Sequence, residues 1–165
     1  MMIMTHLTRT ALEGCQLIAG LPRVAARRLL IGSEVFAVPA GGLVLVEGDP
    51  SNDAYILLSG ALGVETRRTH LACLSAGAHF GEVGVLTGRA RSATVEAIER
   101  SDVLRIDGRR FRAAVERSGP FGTAVRTEMA RRSFVASQPW LTVPCQHTPP
   151  ARNDVHSAVR LVTGG

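Results

Sequence analysis

Along this chain the spacing of apolar positions changes from helical to alternating and back. Leu12, Cys15, Ile18 and Ala19 recur at helical spacing and predict a helix from Thr8 to about Ala19. Gly20, Leu21 and Pro22 interrupt it, and Pro22 suits the first turn of a second helix, Arg23 to about Ile31. There Val24, Leu29 and Leu30 are expected inward, and Arg23, Arg27 and Arg28 outward. From Glu34 the period shortens. Val35, Phe36 and Val38 form one strand, Leu43 to Val46 a second, Tyr55 to Leu58 a third and Ala61 to Glu65 a fourth. Arg67, Arg68 and His70 read as a hairpin tip before a fifth strand, Leu71 to Leu74. Thr94 to Ala97 and Val103 to Ile106 read as two strands paired around a turn at Glu99–Asp102. Glycines 41, 48, 60 and 77 fall between strands, where reversals favour a positive φ.

Helical spacing then returns. Asp107 is placed to cap a helix starting at Gly108, with Phe111, Ala114 and Val115 inward. Gly119 and Pro120 break it, and a last helix runs from about Phe121 to Val135 with Val125, Met129 and Phe134 inward. From Ser137 onward Pro139, Pro144, Pro149 and Pro150 read as a flexible tail. Short strands at close, regular spacing argue for a mainly β unit, closed or sandwiched, with helices before and after it. The expected organisation is an N-terminal helical extension over 1–20, a domain over 21–136 and a tail over 137–165.

Composition narrows the function classes. A hydrophobic fraction of 45% in 165 residues supplies a core for one domain with extensions. The net charge of +5, carried on the basic side entirely by arginine, permits contact with nucleic acid or an anionic membrane. Aromatics at 4% give no stacking platform for bases. No helix-turn-helix pattern follows the arginines between Arg109 and Arg132, so these helices read as solvated faces. Cys15, Cys73 and Cys145 are widely spaced and odd in number, which argues against a zinc site and a disulfide framework. A reducing cytoplasm is the expected location. The start MMIMTHLTRT lacks the features of a signal peptide, and no stretch approaches a membrane span.

Chemistry concentrates in Phe80–Val95, FGEVGVLTGRARSATV. Its glycines let backbone approach a bound group with N–H donors free. Glu82 accepts from a hydroxyl or amide, whereas Arg91 can clamp an anion through two parallel hydrogen bonds. A ligand carrying both a phosphate and a sugar hydroxyl would use both ends. His70, His79 and Glu82 could be imagined as metal ligands in a cupin-like barrel, but they lack a His-x-His spacing. No nucleophile–base arrangement is visible, and no enzyme activity is expected.

This stretch resembles the phosphate-binding cassette of the cyclic nucleotide-binding domain family: Phe80, Gly81 and Glu82, a short turn, then Arg91, Ser92, Ala93, Thr94 and Val95. The resemblance implies a small antiparallel jelly-roll barrel with flanking helices and cyclic AMP or cyclic GMP as ligand, with no further cofactor. It gives Glu82 the ribose 2′-hydroxyl and Arg91 the cyclic phosphate. Ser92 and the backbone around Val83 and Gly84 complete the cradle, with Phe80, Gly81 and Ala93 beside them. Val64 and Leu74 are candidates for contact with the base, as are Arg126, Met129 and Arg131 on the last helix, the family's mobile lid. Ala78 and His79 depart from the family, which often has an acidic then an apolar residue there. The implied function is a sensor module controlling an effector domain or protein, with cyclic AMP favoured. The alternatives are a ligand-free regulatory barrel of a channel, transporter or enzyme, and a DNA-binding regulator.

Overall fold

The computed structural model describes residues 12, 15–50, 52–67 and 69–136, with side chains on the last helix as far as Ser133. Most of the expected first helix, Arg68, the side chain of Phe134, Cys145 and the tail over 137–165 lie outside the described residues. Two helices, α1 (Gln16–Ala19) and α2 (Arg23–Leu30), precede the strands. Strands β1 (Glu34–Val38), β2 (Leu43–Leu45), β3 (Asp53–Ser59), β4 (Ala61–Thr66), β5 (Thr69–Ser75) and β6 (His79–Phe80) follow. Then come α3 (Glu82–Thr87), β7 (Thr94–Ala97), β8 (Ser101–Asp107), α4 (Gly108–Arg117) and α5 (Gly119–Ala136).

The strands form two four-stranded antiparallel sheets, ordered β1-β8-β3-β6 and β2-β7-β4-β5, in a jelly-roll arrangement flanked by helices. Alternation along β3 sorts its side chains between two cores. Tyr55 and Leu57 face the second sheet, where they meet Leu62, Leu74, Phe80 and Val95. Ala54, Ile56 and Leu58 face the helices and meet Leu29, Phe111, Phe121 and Val125. β3 is therefore buried on both faces, which explains its nearly unbroken apolar sequence.

Four details of the sequence reading are corrected. β7 and β8 do not pair: β7 lies between β2 and β4, and β8 between β1 and β3. The turn between them carries the chain from one sheet to the other, and an alternating pattern is blind to which sheet a strand joins. His70 belongs to β5 rather than to the hairpin tip. Val24 is 65% exposed because α2 turns Ala25, Ala26, Leu29 and Leu30 inward, leaving Val24 on the arginine arc. Ala19 is likewise exposed, and Leu17 is buried in its place. Asp107 caps α4 as expected, accepting from the backbone N–H groups of Arg109 and Arg110 at 3.0 and 3.1 Å. Glycines 41, 48, 60 and 77 all take positive φ.

Candidate functional site

Between β6 and β7 the chain does not simply loop. It forms the short helix α3, bounded by Gly81 at φ 77° and Gly88 at φ 70°. Gly81 is required twice over. Its left-handed backbone disfavours a side chain, and a Cβ there would stand 2.8 Å from the Arg91 Nη1 and 3.1 Å from the Tyr55 ring. That closeness is how Arg91 is held. Its Nη1 donates to the Gly81 carbonyl and its Nη2 to the Asp53 carbonyl, both at 2.9 Å. The guanidinium also lies over the Tyr55 ring, 5.5 Å from the centroid. The Arg91 backbone is pinned as well, donating to the Asp49 carbonyl and accepting from the Gly48 N–H, each at 2.9 Å. Two of the five guanidinium donors are thus used for positioning. Burial pulls the Arg91 pKa down, opposed by the neighbouring Tyr55 and Asp53.

Glu82, the first residue of α3, is 1% exposed. Burial pushes its carboxyl upward, while the Arg132 guanidinium and a bond from its own backbone N–H hold it down. Arg132 lies on α5, fifty residues away in the chain. Its Nη1 stands 3.0 Å from Glu82 Oε1 and donates at 2.6 Å to the His79 carbonyl. Its Nε donates at 2.8 Å to Glu128 Oε1. Glu128 also takes two bonds from Arg131, at 2.8 and 2.7 Å, and these together with Arg132 hold its pKa at about 2. Beside this network the His79 ring is buried, with Nε2 unpartnered. Burial, then the positive charge of Arg132, lowers its pKa to about 4.

Glu82, Arg91, Arg131 and Arg132 line one cavity of about 320 Å³. Phe80, Gly81, Glu82, Val83, Gly84, Arg91, Ser92 and Ala93 all line it. Of the candidates for base contact, Val64, Leu74 and Arg131 line it and Arg126 and Met129 do not. Helix α5 reaches the cavity near its C-terminal end, through Arg131, Arg132 and Ser133. Arg132 was missed. The available signal was Glu128 followed by arginines three and four positions on, together with a glutamate in the cassette that needs a counter-charge if buried. Cys73, also in the wall, is disulfide-bonded, against the expectation from cysteine spacing; Cys15 is a free, buried thiol. Among the described residues no three His, Cys, Asp or Glu side chains cluster to hold a metal, and no helix is long and apolar enough to cross a membrane.

Residues 35–118 match the model of the family described as "Cyclic nucleotide-binding domain". An uncharacterized NTE family protein of Mycobacterium tuberculosis is 32% identical over 124 residues, covering 74% of this chain and 21% of that protein. A cyclic nucleotide-gated potassium channel of Mesorhizobium japonicum is 31% identical over 101 residues, covering 61% of this chain and 28% of the channel. The chain therefore spans only about a fifth to a quarter of these relatives. Among solved structures, cAMP-bound PfPKA-R superposes with a TM-score of 0.72 at 17% identity, over 81% of this chain and 46% of that one, a likeness of fold.

Proposed function

Since the chain belongs to the cyclic nucleotide-binding domain family, we propose that it is a non-catalytic cyclic-nucleotide sensor whose C-terminal helices move when ligand binds. The observation that carries this reading is the pairing of a buried carboxylate and a buried guanidinium at the two ends of one glycine-bounded turn, facing one cavity. In the proposed complex the free donors of Arg91 take the cyclic phosphate, helped by Ser92, Ala93 and the backbone of Val83 and Gly84. Glu82 takes the ribose 2′-hydroxyl. The β4–β5 side of the cavity offers Val64, Leu71, Ala72 and Leu74 to the base. Such a mainly apolar wall has few partners for the groups that distinguish guanine, so cyclic AMP is the favoured ligand. In this reading the module acts through residues 21–136 on an effector domain or partner protein. The gated channel among the relatives is one example of such an effector.

The proposed switch turns on the ion pair that Glu82 makes with α5. Arg132 of α5 engages Oε1 of its carboxylate, and in the proposed complex a ribose hydroxyl takes the place of that guanidinium and frees α5 from β6 and α3. A ligand shifts the equilibrium by its difference in affinity between the held and released states. The same contact supports a second reading, a barrel kept permanently closed by Arg132 that binds no nucleotide.

A thermal-shift panel with cyclic AMP, cyclic GMP and cyclic dinucleotides separates the two. A ligand at 100 times its Kd adds about 2.7 kcal/mol, a rise in Tm on the order of 10 °C for a domain of this size. No shift with any of them leaves the closed barrel. Two charge-assisted bonds at about 1.5–3 kcal/mol each make Arg91→Ala cost on the order of 10²–10⁴-fold in affinity. Calorimetry of folded Arg91→Ala with undiminished cyclic AMP affinity would overturn the assignment of Arg91.

A further inference from the structure

One surface takes no part in the cavity. Helix α2 turns an arc to solvent on which Arg23, Val24, Arg27, Arg28 and Ile31 follow one another at helical spacing. Val24 and Ile31, at 65% and 50% exposure, are the exposed large hydrophobic side chains of the described residues, and both lie on this arc among arginines. Helix α2 carries no acidic residue. The arc continues onto α4, where Arg110 donates to the Arg28 carbonyl at 3.5 Å and Arg109 is 95% exposed. Asp107, beside Arg109, caps α4 and stands 3.7 Å from the Arg109 Nη2.

We propose that this face of α2 and α4 is a docking surface for an anionic lipid bilayer. Arginines placed beside a membrane are attracted to phosphate headgroups and can bind them through two N–H donors at once. Val24 and Ile31 flank them on the same arc and would enter the headgroup boundary together, as apolar residues of interfacial helices do. The surface is the outside of a helix rather than a groove. It offers no enclosed apolar slot for a peptide chain, whereas a planar interface needs only protruding side chains. Charge complementarity selects the anionic lipid. None of these residues lines the cavity, so docking leaves the nucleotide site accessible and holds the domain at a membrane surface without a span.

The test is sedimentation of the full chain with vesicles of phosphatidylcholine alone and of phosphatidylcholine with phosphatidylserine. Partition onto the phosphatidylserine vesicles, weakening as salt rises, is expected. Each arginine near the surface contributes about a five-fold effect, so Arg27→Gln with Arg28→Gln should reduce partition about 20- to 30-fold. Val24→Ser with Ile31→Ser should reduce it several-fold at unchanged charge. All four positions are at the surface, and an unchanged unfolding temperature verifies that each variant is folded. No partition of the parent, or partition indifferent to the arginine pair, overturns the proposal. So does partition that falls with the arginines but not with Val24 and Ile31, which is unspecific adhesion of a basic protein. Polyglutamate binding that depends on both pairs and exceeds vesicle binding also overturns it, in favour of an acidic protein partner.

Discussion

Arg132 shows how much a single side chain can do when it arrives from a distant element. Its guanidinium answers a carboxylate that would otherwise sit buried without a counter-charge, and it ties α5 to β6 through the His79 carbonyl. In the proposed cycle Arg132 and the ribose compete for Glu82. Arg132→Gln should therefore bind cyclic AMP at least tenfold more tightly, because one charge-assisted bond no longer has to be broken on binding. The variant should also unfold more easily at neutral pH, since Glu82 loses the cation that offsets its burial. Calorimetry decides the first point: weaker binding would mean that Arg132 grips the ligand instead of excluding it. That the residues of the cassette would come together was readable from sequence because Phe80, Gly81, Glu82 and Arg91 to Val95 resemble the family's pattern in order and spacing, and the residues from Phe80 to Gly84 and from Arg91 to Ala93 do line one cavity. Arg132 was not, because the arginines of α5 look alike until the helix is laid against Glu82.

At the scale of elements, α4 is the joint between the sheets and α5. It starts at Gly108, where a Cβ would collide with the Asn52 carbonyl oxygen, and is capped by Asp107, the last residue of β8. Arg112 of α4 donates to the Val85 carbonyl of α3, so the cassette helix and the joint are linked directly. Asp107→Ala should lower stability by about 1 kcal/mol through loss of the cap. Gly108→Ala should cost more, because the obstacle is backbone and cannot swing aside. Chemical denaturation of both variants checks the order, and equal losses would show that the close approach at Asn52 relaxes easily. Helix α4 was legible in the sequence, since Asp107, Gly108 and the spacing of Phe111 and Val115 all agree. The crossing from β7 to β8 was not. Two strands with a short turn between them look the same in sequence whether they form a hairpin or separate into two sheets.

For the molecule as a whole, the ionisable groups around α5 set a pH dependence whose parts oppose one another. His79 binds its proton less readily folded than unfolded, at about 4 against an ordinary 6.5. The unfolded chain therefore takes up more protons between those values, and His79 lowers stability as pH falls through that window, by about 3 kcal/mol at most. Glu128, held at about 2, adds a further loss below its ordinary 4.5. Glu82 runs the other way: its raised pKa favours the fold on the acid side and loses that contribution as pH rises through it. In urea denaturation from pH 7 to pH 4, His79→Phe should lose less stability on acidification than the parent. Parallel curves would show that His79 is hydrated and ordinary. The contact between Arg132 and Glu82 has one more consequence, and it concerns time. If the guanidinium must leave before a ribose hydroxyl can take its place, raising the nucleotide concentration speeds capture only up to the rate at which α5 lets go. Such a sensor works as a low-pass filter: it passes a sustained signal and ignores a pulse shorter than the helix's own release.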